Sequence, residues 1–131
     1  MDRHTFGDAS MKQFNTLHDD LKLIMAHTLI ACEVDFSLVE GYRPPEKQFE
    51  YYKKGRKQNA DGSWTIVNRR NIITNVDGYK IIGSHNHNPS IAVDIVVYVP
   101  GKAELRYTLA HLTFIAGNVL RIADRLYVEG R

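Results

Sequence analysis

The sequence holds a single cysteine, Cys32, among 131 residues. No disulfide can close within the chain, and a cysteine-built zinc site is excluded. Cys32 itself lies in "LIACEV", an apolar context suited to packing rather than to nucleophilic chemistry. Charge of one sign is scarce too. Lys and Arg number 17 against 15 Asp and Glu, a formal +2 that does not by itself imply a polyanionic partner. The basic residues cluster at Lys53, Lys54, Arg56, Lys57, Arg69 and Arg70, but such runs are usually solvated faces. With no aromatic–basic motif beside them, no nucleic-acid partner is expected. No apolar run is long enough to span a bilayer, so no membrane anchor is expected. The polar opening "MDRHTFGDAS" lacks the apolar centre of a signal peptide, which places synthesis in the cytoplasm. Internal repeats and low-complexity tracts are missing as well. At this length the expectation is one domain over 1–131, with a single core.

What is present is an ordinary globular composition, 44% hydrophobic and 24% charged. Ser10 to Gln13, "SMKQ", fits a capping box. Leu17, Leu21, Ile24, Met25, Thr28 and Leu29 then recur at helical steps, which predicts one amphipathic helix running to about Ala31. "DFSLVEG" alternates as a short strand closed by Gly41. "YRPPEKQFEYYKKG" predicts a helix entered through paired prolines and stopped at Gly55. Asp-Gly turns in "DGSWTIV" and "NVDGYKII" predict a hairpin or extended excursion between Arg56 and Ile82. "SIAVDIVVYVP" has the strongest strand pattern in the chain. From Glu104 a long helix is predicted, its stripe formed by Leu105, Leu109, Leu112, Ala116, Val119, Ile122, Ala123 and Leu126. This order of elements is α+β, a small antiparallel sheet packed against helices, and lacks the strict alternation of a doubly wound sheet.

The chemistry concentrates in "GSHNHNPSIAVDI", Gly83 to Ile95. Asp94 stands inside an apolar run, where an ionised carboxylate is costly unless paired, hydrogen-bonded or metal-bound. Strand alternation lets Asp94 face a cleft while its neighbours fill the core. His85 and His87 lie in the loop that enters the strand, so either ring can return to that cleft. Histidine nitrogen and carboxylate oxygen together make a partial shell for zinc. The same residues also suit a loop-capping or Arg-paired aspartate beside solvated histidines, and the spacing alone leaves both open.

The motif "SHNHNPSIAVDI" resembles the histidine–aspartate zinc motif of the VanY-like peptidases. It is most similar to their phage endolysin branch, L-alanyl-D-glutamate endopeptidases that cut peptidoglycan stem peptides. "FGDASMKQFNTLHDDLKLIM", "VEGYRPPEKQFEYYKKGR" and "ITNVDGYKIIGSHN" match further segments in order, so the likeness spans most of the chain. The resemblance implies the VanY-like/hedgehog-type zinc peptidase fold, a bound Zn2+ and a peptidoglycan stem peptide as partner. His85 and Asp94 would be zinc ligands, with His87 in reserve. Arg43 would be catalytic, steadying the oxyanion, and Gln48 and Ser84 would bind substrate, Gln48 alternatively orienting Arg43. A D-Ala-D-Ala carboxypeptidase and a catalytically dead wall-binding or structural relative are the alternatives.

Two departures stand out. Gly83 occupies the position where the family usually has Ser, with Ser84 one residue on. The third zinc ligand, a late His, and the acidic base before it would fall beyond Arg131, so the resemblance implies a truncated enzyme or impaired chemistry. His4, His18, His27 and His111 do not fit the missing ligand's place. The expected setting is a monomer made in a host cytoplasm and released to the wall by a holin.

Overall fold

The computed structural model describes residues 4–130. The polar N-terminal opening falls partly on residues 1–3, and the chain end at Arg131, both outside the described residues.

The N-terminal helical region is two helices, α1 (Asp8–Phe14) and α2 (Asp19–Ala31), rather than one. The break at 15–18 has a tertiary cause. Leu17 is 1% exposed and forms a parallel bridge with Ser90, whose carbonyl accepts from His18 N at 2.8 Å. A continuous helix would have to surrender that junction. The new N-terminus is capped by His18, whose Nδ1 accepts from Asp20 N at 3.1 Å, and Asp19 and Asp20 complement the helix dipole. The capping box read at Ser10–Gln13 is not formed. Ser10 lies inside α1, buried, and its Oγ accepts from Leu38 N at 3.1 Å; Gln13 Oε1 accepts from Gly41 N at 3.1 Å. Both side chains tie α1 to the following strand.

That strand, β1 (Phe36–Glu40), pairs antiparallel with β4 (Asp94–Val97) in a two-stranded sheet. Phe36 faces Val97, Leu38 faces Ile95 and, after a bulge, Glu40 faces Asp94. The central strand is therefore much shorter than its apolar run. Ser90 and Ala92 turn the chain instead, through a Ser90 Oγ bond to Ala92 O of 2.7 Å. Between the paired strands lie α3 (Pro45–Lys53), with proline at its first position, and the hairpin of β2 (Arg56–Gln58) and β3 (Trp64–Ile66). The second Asp-Gly makes a turn and no strand: Asp77 Oδ1 accepts from Tyr79 N and Ile81 N, both at 2.9 Å.

The last helix, α4 (Leu109–Val128), starts later than its pattern suggested, after a 3-10 turn at Ala103–Leu105. Its buried residues are Ile115, Ile122 and Leu126, with Leu112 and Val119 beside them, whereas Leu109 and Ala116 are exposed. The buried stripe is thus rotated toward Ile115, which the sequence reading omitted. Helix α4 packs on α2, and both close over the β1–β4 ribbon around Leu17, Met25, Leu29, Cys32, Phe36, Leu38, Val97 and Ile115. Each fully buried large side chain here contributes roughly 2 kcal/mol. The architecture is α+β, helices on small antiparallel sheets.

Candidate active site

The site forms where the exit of β1 meets the loop that enters β4. Gly41 is what lets them meet. A Cβ there would collide with Thr16 Oγ1 and come within 2.8 Å of Leu17 Cδ2, so only glycine admits so close an approach of the helix junction. Thr16 Oγ1 accepts from Tyr42 N at 2.9 Å, fixing the next residue as well.

The freed Gly41 carbonyl faces the ring of His85, with Nδ1 at 2.8 Å. A carbonyl can only accept, so Nδ1 carries the proton and Nε2 of the neutral ring keeps its lone pair. Nε2 points at Asp94 Oδ1, 3.4 Å away. The Asp94 side chain is 52% exposed and that of His85 17%. This corrects the picture of a carboxylate buried mid-strand. Asp94 is the first residue of β4 and stands at its open end. His87 follows the 3-10 turn Ser84–Asn86, is exposed and forms no ion pair with Asp94. His85 is the histidine that the structure brings to the aspartate.

Arg43 completes the cluster. Its Nε donates to Glu40 Oε1 at 2.7 Å, its Nη1 to Gln48 Oε1 at 2.9 Å, and its Nη2 to Glu40 Oε1 while lying 3.6 Å from Asp94 Oδ2. The guanidinium also sits over the Tyr51 ring, 4.8 Å from its centroid. Glu40 and Asp94 are partners across the strand pair, where like charges would repel; Arg43 lies between them and offsets that repulsion. Lys47 Nζ takes the other oxygen of Glu40 at 2.6 Å. Burial works to raise the Glu40 carboxyl, but the hydrogen bonds and charges of Lys47 and Arg43 prevail and hold it below its ordinary 4.5. The same bond to Glu40 raises Lys47 above 10.5.

Gln48 is 3% exposed and turned inward to Arg43 and to Val76 O, its Nε2 donating to the latter at 2.9 Å. Its geometry is that of a group orienting Arg43. Ser84 is exposed, and among the described residues its hydroxyl has no hydrogen-bond partner; its carbonyl accepts from Ile91 N at 3.3 Å. The sequence reading gave no site role to Glu40, Lys47 or Asn86, and took Gly41 only as the close of a strand. Asn86 is buried, donating to Arg43 O at 2.9 Å and accepting from Gly83 N at 2.8 Å. With the Arg43 N to His85 O bond of 2.7 Å, it locks the histidine loop to the arginine turn. The signal for Glu40 was in "VEGYR", a carboxylate three residues before an arginine at a strand end.

A metal's fit to this cluster is partial. A histidine with Nδ1 tied to a carbonyl and a free Nε2 facing a carboxylate is the orientation that metal-binding histidines adopt. Among the described residues, however, no group of three or more His, Cys, Asp or Glu side chains is placed to hold an ion.

The L-Ala D-Glu endopeptidase ChiX of Serratia marcescens superposes with a TM-score of 0.61 over 94% of this chain and 74% of its own, at 21% identity. The chain has the fold of that endopeptidase. At this identity the likeness is one of fold alone. No family model matches the sequence, and no curated protein does either.

Proposed function

We propose that the chain is a zinc peptidase of bacterial cell-wall stem peptides, cutting between L-alanine and D-glutamate. The observation that carries the reading is the His85–Asp94 pair, oriented by Gly41 and flanked by Arg43. The shared fold with ChiX supports it. His85 Nε2 and Asp94 would hold the ion together with a third ligand from outside the described residues. Bound zinc supplies Lewis-acid polarisation and a more acidic water. Arg43, steadied by Glu40 and Gln48, would stabilise negative charge as it develops on the scissile carbonyl oxygen. Glu40 is not the proton acceptor: both of its oxygens are held by cations and its basicity is lowered. Ser84, which is exposed, would contact the peptide at the rim. In the phage-lysis setting the enzyme would wait in the host cytoplasm until release to the wall.

One observation favours a second reading. Among the described residues neither a third metal-binding side chain nor an unengaged acidic base stands beside the pair, and a chain so equipped would bind stem peptide without cutting it.

Zinc titration followed by calorimetry, then muropeptide digestion read by mass spectrometry, separates these. The expected result is one zinc per chain, lost in Asp94→Ala and retained in His87→Ala, with products bearing a new D-glutamate N-terminus. Loss of a terminal alanine would instead mark a carboxypeptidase. Stem-peptide binding without cleavage supports the second reading, and no zinc binding at micromolar metal rejects the peptidase.

A further inference from the structure

The excursion between α3 and the histidine loop has a charge pattern the cutting site does not use. From 51 to 76 the chain carries Lys53, Lys54, Arg56, Lys57, Arg69 and Arg70 against Asp61 alone. Two of these cations have local work. Lys53 pairs with Glu50 at 2.6 Å, and Arg56 donates to Tyr52 O, Thr74 O and Asn75 Oδ1 while lying over the Tyr52 ring. Lys54, Lys57, Arg69 and Arg70 are exposed, and among the described residues none pairs with a carboxylate.

Two of the four line one cleft. Lys54, Gly55, Arg70, Asn71 and Ile73 line an open cleft of about 480 Å³ behind the C-terminus of α3. Its floor is fixed by Gly55, at φ +78°, where a Cβ would come 2.5 Å from Asn68 O and 2.9 Å from Ile72 Cδ1. Gly55 O also accepts from Val67 N at 2.9 Å, bringing Val67 to the edge. Val67 is 62% exposed and Ile73 59%. Ile73 thus lines the cleft together with both cations, and Val67 is tied to its Gly55 through the backbone. A phosphodiester polymer would engage the cations and give Val67 and Ile73 nothing. An anionic bilayer surface engages both, through phosphate headgroups and the apolar boundary beneath them.

We infer that the Lys54–Arg70 cleft docks the chain on anionic phospholipid membranes, with Val67 and Ile73 entering the headgroup boundary. The contact is peripheral, since no helix among the described residues is long and apolar enough to cross a membrane. It is independent of the peptidase reading, because neither the cleft nor its test involves the histidine pair.

The test is co-sedimentation of the full chain with vesicles of phosphatidylcholine alone or mixed with phosphatidylglycerol. Binding is expected only to the anionic vesicles and to weaken with added salt. Lys54→Glu/Arg70→Glu should reduce the affinity at least about tenfold. The charge-matched control Lys12→Glu/Arg121→Glu, at positions away from the cleft, should retain it. Val67→Ser/Ile73→Ser should also weaken vesicle binding while leaving the thermal midpoint unchanged. Equal binding to both vesicle types, or equal losses in the control and cleft variants, overturns the inference. So does binding to polyphosphate or duplex DNA as tight as to vesicles and insensitive to Val67→Ser/Ile73→Ser, which assigns the cleft to a polyanion.

Discussion

Glu40 shows how a single side chain can organise a whole cluster of charges. It is 8% exposed, binds both Arg43 and Lys47, and faces Asp94 across the ribbon. Because its folded-state acidity lies below the ordinary 4.5, it binds fewer protons folded than unfolded as the medium acidifies. Its contribution to stability is therefore complete above 4.5 and lost as pH falls through the depressed folded value. Glu40→Gln should cost about 2 kcal/mol at neutral pH and flatten the acid limb of stability below 4.5. Urea unfolding of both proteins across this range measures the difference, and parallel acid limbs would contradict it. Asp77, half-buried, and Asp61, exposed, are both lowered mainly by hydrogen bonds, act alike in both proteins and cancel. At this scale the sequence was legible where chemistry is local. Asp94 stood out as a charge in an apolar run, with His85 and His87 both in reach, whereas Arg43 and the preference for His85 came only with the resemblance. Glu40 did not stand out, since an acid at a strand end reads as solvated until the fold shows what sits on it.

The elements were legible where hydrophobic period and punctuation agree. Proline at the start of α3 and the Asp61-Gly62 turn of the β2–β3 hairpin are examples. They were misread where side chains are spent on distant partners. Ser10 and Gln13 have the residue types of a capping box but bond Leu38 N and Gly41 N. Leu17 suits a helix face yet sits at the bridge to Ser90. In the same way, the apolar run before Asp94 is consumed by a turn held at Ser90 and Ala92, and only Asp94–Val97 is left as strand. Gly41 joins these elements, which suggests a stringent check. Gly41→Ala should destabilise the fold by about 2 kcal/mol or more, because the colliding atoms belong to a packed helix junction. It should also shift the His85 ring signals in NMR, through the carbonyl bonded to Nδ1. An unchanged thermal midpoint with unchanged His85 signals would refute this account of the glycine.

Across the whole molecule, the core is assembled from the two ends of the chain. Helices α1, α2 and α4 pack on β1 and β4, while the β2–β3 hairpin lies outside that core, its Trp64 meeting Phe49 of α3 edge-on at 5.5 Å, with Tyr79 on the same Phe49 ring at 5.8 Å. The α+β class follows from the order of patterns in the sequence. The pairing of residues 36 and 97 does not, since strand partners distant in sequence are fixed by which surfaces remain to be buried once the helices dock. The hairpin tip, Asn59 to Gly62, is exposed and bonded mostly within itself. Limited proteolysis should accordingly nick the chain first between 56 and 66 and leave the core intact; first cleavage inside α2 or α4 would be inconsistent with this layering. The β1–β4 ribbon closes a long loop, and the entropy of closing such a loop rises only slowly as residues are added. Extra sequence spliced in at that tip would lengthen the closed circuit at little thermodynamic cost and leave the register of 40 against 94 undisturbed. The fold thus has a natural port for insertions, set apart from the end where His85, Asp94 and Arg43 meet.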